Sequence, residues 1–289
     1  MTKKLLFALL LVLICIGIYF SKIADQKRRA TEKLNPIRRM LCYLRGGDYV
    51  HPGDEIAIDL TIEKALQFDP KLKTKTLLDV GCGFGGTLHY LAKKGFKKIK
   101  GIDIDEAGIE YAALTYPRQT FSVANILEEN LSIQKHSISF FTLFSVAYSI
   151  ENKKKMLEAI GELAAPNAII AIWDYAIPLN ATHVKVTDAA NKSMHPIIPG
   201  EFHETLYECG WNLLFEEDQT DYFSEGYRVT LQKLSEQKTE LEKLFSPKTV
   251  VQTQLIYEAI KNNIESGKLG GTLIIAKKET STKNQDYPF

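Results

Sequence analysis

The ten residues Leu77-Leu-Asp-Val-Gly-Cys-Gly-Phe-Gly-Gly86 constrain this chain more than any other stretch. They read as a short buried strand that runs straight into a glycine turn, with Asp79 near the strand's end. A second strand, Ile99-Lys-Gly-Ile-Asp-Ile104, follows and ends in acid at Asp103. Two strand ends, one open turn and one carboxylate make a nucleoside-binding crevice. Gly81, Gly83 and Gly85 can take backbone angles closed to other residues, and they let the chain approach a ligand closely.

Around this motif the pattern alternates strand and helix. Residues 55–68 carry Ile58, Ile62, Ala65 and Leu66 on one helical stripe that ends before Pro70,. Strands are expected at 76–80, 99–102, 120–124, 139–144 and 168–172, with helices at 86–94, 106–114 and 151–163 between them. This order predicts an α/β, doubly wound, mostly parallel sheet with helices on both faces. Two more strand candidates, 211–215 and 272–276, stand near the end. Residues 221–268 separate them and hold two helical patterns, 225–244 and 248–265, broken at Pro247. They read as a helical lid over an acceptor pocket, or as a packing or dimer element.

Residues 79–85 spell D-V-G-C-G-x-G. That spelling, with Asp103 as the acidic post, closely resembles motif I of the class I S-adenosylmethionine-dependent methyltransferases. The resemblance covers residues 41–278 and is strongest over 77–105. It implies a seven-stranded sheet closed by a C-terminal antiparallel strand, with S-adenosyl-L-methionine as cofactor. It assigns donor binding to Asp79, Gly81, Cys82, Gly83, Gly85 and Asp103, and packing on the adenine to Ile104. Asn125 stands where the family usually has an adenine-binding Asp, and Ser145 falls near the sulfonium. Two positions depart from the family: Phe141 replaces an acid, and Ser149 replaces a histidine often found in small-molecule members. Gly86 also completes a G-x-G-x-x-G run. An NAD-dependent oxidoreductase is therefore one alternative, and a membrane-tethered scaffold that keeps the fold without catalysis is another.

Just upstream lies Gly46-Gly-Asp-Tyr-Val-His-Pro-Gly-Asp-Glu55. It looks like the cover that folds over the methionine end of the donor in phosphoethanolamine-type and related small-molecule members. Tyr49 and His51 are the candidate catalytic residues, able to take a proton from an amine acceptor. The plain alternative is a turn in which Asp54 caps the next helix. After the fifth strand, Asp174 and Tyr175 face the expected ligand edge and are candidate substrate residues. The irregular stretch 178–200 carries His183, Asp188 and His195, with His195 as a substrate candidate.

The N-terminus is a separate unit. Residues 5–20 are apolar without a charge, and as a helix they span roughly 24 Å against a hydrocarbon core of about 30 Å,. The run ends Gly17-Ile-Tyr-Phe-Ser-Lys, a poor signal-peptidase site, so an uncleaved single-pass membrane anchor over 1–21 is expected. Lys22, Lys27, Arg28, Arg29, Lys33, Arg38 and Arg39 follow it. The positive-inside rule then puts the body in the cytoplasm, behind a basic helical tether at 22–40. The tail 279–289 is polar and expected to be disordered.

The 36 basic residues balance 35 acidic ones, and no basic stripe interleaves with aromatics, which argues against nucleic acid as a partner,. The four cysteines are scattered and make no C-x-x-C pair, so reduced thiols and no metal are expected,. The function expected is methyl transfer to a small-molecule or lipid-headgroup acceptor beside a membrane.

Overall fold

The computed structural model describes residues 3–129, 131–178, 181 and 193–279, with the backbone alone for 3–11. The chain begins in one long helix, α1 (Lys3–Lys33). Asn35 starts the next helix, α2 (Pro36–Arg45): its side chain accepts the N–H groups of Ile37 and Arg38, and Pro36 fills the first helical position,. Gly46, left-handed at φ 70°, ends it,. There follow α3 (Asp54–Phe68), β1 (Thr76–Val80), α4 (Gly86–Lys93), β2 (Lys98–Asp103), α5 (Glu106–Thr115), β3 (Thr120–Val123) and β4 (Ile138–Phe144). The second half runs α6 (Lys153–Leu163), β5 (Ala164–Ala176), α7 (Pro199–Glu208), β6 (Trp211–Asp218), α8 (Thr220–Glu236), α9 (Lys238–Phe245), α10 (Pro247–Glu265) and β7 (Gly270–Lys278).

The seven strands form one sheet in the order β3-β2-β1-β4-β5-β7-β6. The pairs β2–β3, β1–β2, β1–β4 and β4–β5 are parallel, and β7 runs antiparallel between β5 and β6. The expected mostly parallel sheet with an antiparallel close is what forms. Alternate residues serve the two faces. Leu77 and Phe140 pack toward Ile58, Leu88 and Trp173 on one side. Leu78 and Phe141 pack toward Met156, Ile160 and Trp211 on the other,. The chain leaves β1 outward through β2 and β3, then returns to β4 on the other side of β1. In sheets of this order, ligands bind at that switch point, outside the carboxyl ends of the strands.

Several boundaries differ from the sequence reading. The fifth strand runs on to Ala176, because Ile169–Ala176 pair residue by residue with β7. Asp174 and Tyr175 therefore lie inside a strand, not after one. Asp54 does not cap α3: Gly53 takes that place without a side-chain bond, and Asp54 is the first helical residue. The segment 221–268 holds three helices rather than two, because α8 and α9 meet at Gln237 before the break at Ser246 and Pro247.

The tether expected at 22–40 is not a separate element. Residues 22–33 continue α1, which packs on α5 with Lys33 paired to Glu110 (2.7 Å) and Lys27 over the Tyr111 ring. Residues 36–40 belong to α2, where Met40 and Leu44 pack with Leu234 of α8, Leu241 of α9 and Val250 of α10. Among the described residues, no helix is long and apolar enough to cross a membrane. The side chains of 5–11, nearly half of the expected anchor, lie outside those residues, as do His183, Asp188 and the tail from 280.

Asp174 holds the turn after β4. Its carboxylate accepts the N–H groups of Val146 (2.7 Å), Ala147 (2.6 Å), Tyr148 (3.3 Å) and its neighbour Tyr175 (2.8 Å). Burial pushes its pKa up to about 6 while these N–H groups pull the other way. Removing the acceptor strands several buried donors. Asp174→Ala is expected to lose roughly 3 kcal/mol of stability, with Asp174→Asn less affected, by urea unfolding. Loss under about 0.5 kcal/mol in the alanine variant would show that water replaces the carboxylate.

Candidate active site

The glycine turn is built by close approach. Gly81, Gly83 and Gly85 all have positive φ, at 74°, 54° and 84°. A Cβ on Gly81 would stand 2.4 Å from a Val146 methyl, and one on Gly86 would stand 2.4 Å from the Asp48 carbonyl oxygen. The turn is tied to β2 because Gly81 and Cys82 both donate to the Ile102 carbonyl, at 2.8 and 3.0 Å. Asp103 completes the tie: its Oδ2 accepts Gly83 N–H at 2.8 Å and its Oδ1 accepts Asp105 N–H at 2.9 Å. A carboxylate oxygen has two acceptor sites, so each can still take a ribose hydroxyl.

Ile104 stands at the lip, 73% exposed. Asn125 directs its side-chain oxygen to the Leu127 N–H (3.0 Å), closing a local turn at the end of β3. Ser145 is the strained member. Its φ is +55°, its N–H donates to the Trp173 carbonyl (2.7 Å), and its buried hydroxyl has no partner. An orphaned hydroxyl, a cradle that side chains would fill and a carboxylate with spare acceptor sites fit S-adenosylmethionine.

Two sequence candidates sit elsewhere. Asp79 is buried in the sheet floor and accepts the Thr142 hydroxyl (2.7 Å), so its carboxylate does not line the crevice. The Cys82 side chain packs on Gly101, leaving only its backbone at the turn.

The segment 46–53 closes over this half of the site. His51 is buried, stacks on Phe144 at 4.9 Å between ring centres, and turns Nε2 to the Thr87 hydroxyl (3.3 Å). Burial, with Arg45 adding to it, pushes its pKa down to about 3, so the ring is neutral and a weak base,. Tyr49 is buried as well, and its hydroxyl donates to Glu55 (2.8 Å). Burial and that carboxylate hold its pKa well above the usual phenol value. Arg45 fixes the segment: its guanidinium, 4% exposed, donates to the His51 carbonyl (2.8 Å) and the Tyr257 hydroxyl (3.0 Å) and lies 3.4 Å from Asp54.

Beside it, Tyr175 and Tyr227 share a short hydroxyl contact, and Tyr148 meets Tyr175 edge to face at 4.9 Å. This makes Tyr175 part of a buried cluster with Tyr227 of α8 and Tyr257 of α10. Asp174 is removed from the substrate set, since backbone N–H groups occupy its carboxylate. His195 is held by its backbone, donating to the Tyr148 carbonyl (2.7 Å) and accepting from Lys153 (2.6 Å). Ser149 is exposed and bonds back to the Val146 carbonyl (2.7 Å), while Phe141 packs on Trp211 in the core.

The sequence reading missed Arg38, Arg45, Thr87, Tyr148, Tyr227 and Tyr257. For the two arginines a signal existed. The Asn35-Pro36 start and the Gly46 stop bound a helix in which Arg38 and Arg45, seven apart, share one face,. The tyrosines converge from three elements distant in the chain, and no local pattern marks that.

Burial pushes the Asp79 pKa up to about 7, with nearby Asp103 raising it further and the Thr142 hydroxyl opposing. A carboxyl whose folded pKa is raised contributes stability that is full below its unfolded value near 4 and is lost as pH rises through about 7,. Asp79→Asn should therefore flatten the fall in stability between about pH 4 and 7, measured by urea unfolding across that range. An unchanged slope would assign the dependence to other groups.

The family model described as a methyltransferase domain matches residues 55–216. Norajmaline N-methyltransferase from Rauvolfia serpentina is 30% identical over 135 residues, which are 43% of this chain and 46% of that protein. The match thus spans under half of that relative's length. Phosphoethanolamine N-methyltransferase from Plasmodium falciparum is 24% identical over 219 residues, 72% of this chain and 79% of that protein. Among solved structures, phosphoethanolamine N-methyltransferase 2 from Haemonchus contortus, in complex with phosphomonomethylethanolamine and S-adenosylhomocysteine, has the same fold. Its TM-score is 0.71 at 16% identity, over 83% of this chain and 56% of that one. The chain belongs to the methyltransferase-domain family, with the class I sheet order and the glycine turn and acidic post of that class.

Proposed function

We propose that this chain transfers a methyl group from S-adenosylmethionine to the nitrogen of a small-molecule amine. The observation that carries the reading is Asp103 bonded to Gly83 N–H beside the β1 turn, with the buried Ser145 hydroxyl left without a partner after β4. Gly81, Gly83, Asp103, Ile104, Asn125 and Ser145 are the residues that would hold the donor. The bound donor supplies an activated methyl on sulfur, and transfer needs the acceptor held in line and dry. The segment 46–53 and the lid exclude water. Tyr49, a protonated phenol bonded to Glu55, would take the amine proton while passing its own to the Glu55 carboxylate; His51, held neutral, stands beside it. The nicotinamide alternative has no support in the family match.

Two of these relatives are named as N-methyltransferases, one of phosphoethanolamine. Arg45 and the hydroxyls of Tyr175, Tyr227 and Tyr257 are consistent with an acceptor that carries an anionic group beside its amine. The purified chain, given labelled donor and a panel of amines that includes phosphoethanolamine, should yield a labelled amine. Tyr49→Phe should cut turnover at least tenfold with donor affinity little changed. Donor binding without turnover across the panel would favour the non-catalytic scaffold, and label on protein alone would refute a small-molecule acceptor.

We also propose that residues 5–20 seat the chain in a membrane, with the body on the cytoplasmic side. Val12, Leu13, Ile14, Ile16, Ile18, Tyr19 and Phe20 are all exposed, and at helical spacing they spread around the whole circumference. A protein partner covers one stripe of a helix, whereas lipid surrounds it. The full chain should stay with membranes in high salt and alkaline carbonate and leave them only in detergent. Release by salt alone would mean peripheral attachment, and protease access to the body from outside the cell would reverse the orientation.

A further inference from the structure

We propose that Arg38 is a donor-binding residue that contacts the ribose side of S-adenosylmethionine, which makes α2 one wall of the donor site. The inference rests on reading the crevice as the donor site, and it adds a residue that lies outside every motif of the chain.

The geometry is specific. Arg38 Nη1 donates to Asp105 Oδ2 at 2.8 Å, and its guanidinium carbon lies 4.8 Å from the centre of the Phe84 ring. A Cβ on Gly83 would stand 3.0 Å from Arg38 Nη2, so the guanidinium passes directly over the central glycine of the turn. Its partners cannot drift. Asp105 caps α5 by accepting the Gly108 N–H (3.2 Å), and Gly83 is bonded to Asp103 (2.8 Å). Gly83, Asp103 and Asp105 thus form one fixed floor, and Arg38 spans it from α2.

The helix that delivers Arg38 is fixed as well. Leu34, Cys42 and Phe84 share a small buried cluster flanked by Val50, Ala107 and Tyr111. A guanidinium has five N–H donors, and the bond to Asp105 uses one. Others can turn to ribose oxygens while Asp103 accepts the ribose hydroxyls from below. Pairing with Asp105 offsets the charge that would otherwise oppose a sulfonium.

The test is calorimetric titration of the full chain with S-adenosylhomocysteine and with 5′-methylthioadenosine, which has the ribose but no amino-acid end. Arg38→Met keeps the stem against Phe84 and removes the charge. It should weaken both probes by a similar factor, about tenfold, the scale of one charge-assisted hydrogen bond. Arg38→Lys should recover part of the loss, and the melting temperature without ligand should stay within about 2 °C of wild type. Unchanged affinity for both probes overturns the proposal. So does a loss confined to S-adenosylhomocysteine, which would put the contact at the methionine carboxylate. So does a drop in ligand-free melting temperature that accounts for the lost affinity, which would make the arginine structural. If the wild-type chain binds neither probe, the donor reading falls and this proposal with it. If the wild type binds and Arg38→Met binds equally well, only the present proposal falls.

Discussion

Carboxylates that accept backbone N–H groups hold the carboxyl edge of the sheet in shape. Asp103 takes two such groups and Asp174 takes four, and between them they fix the loops after β1, β2 and β4. Loops at a strand end carry unpaired N–H groups that would otherwise call for water. Here an acid at the end of a neighbouring strand satisfies them from inside the fold. The loops at this edge are therefore held from within the fold. Ser145 can keep a left-handed backbone only because its neighbours are pinned in this way,.

The donor half was legible in the chain because local rules write it. A glycine turn needs residues without a Cβ at set spacings, and the acid that ties it comes at the end of the next strand. Parallel strands likewise show as short apolar runs separated by helices. What could not be read was convergence. Asp174 looks like a ligand residue from sequence, since it is an acid near a strand end. Its role follows only from the turn that β4 brings beside it. Asp79 looks like part of the motif, yet pairing with β4 puts Thr142 against it. The tyrosine cluster draws on β5, α8 and α10, and Arg45 reaches it from α2, more than 200 residues from Tyr257 in the chain.

Strand length was misjudged for a related reason. The apolar run of β5 stops near Ile172, but an antiparallel partner carries hydrogen bonding on to Ala176. Side-chain pattern reports burial, while strand extent is set by whichever backbone lies alongside. The segment 221–268 shows the converse. Its apolar spacing marks helices, but the break at Gln237 between α8 and α9 has no counterpart in that spacing.

α2 touches both halves of the site. Through Met40 and Leu44 it packs on α8, α9 and α10, and through Cys42 and Arg38 it rests on the glycine turn. Arg38 and Arg45 stand about 10 Å apart on one face of a short stiff rod. A helix does not bend within three turns without losing hydrogen bonds, so a shift at one end is delivered to the other. α2 therefore couples the glycine turn to the layer of α8, α9 and α10. A sequence change that repacks those three helices carries a side effect on the glycine turn, and the reverse holds too. Change in one has to be answered by change in the other, which narrows the routes by which this part of the chain can vary.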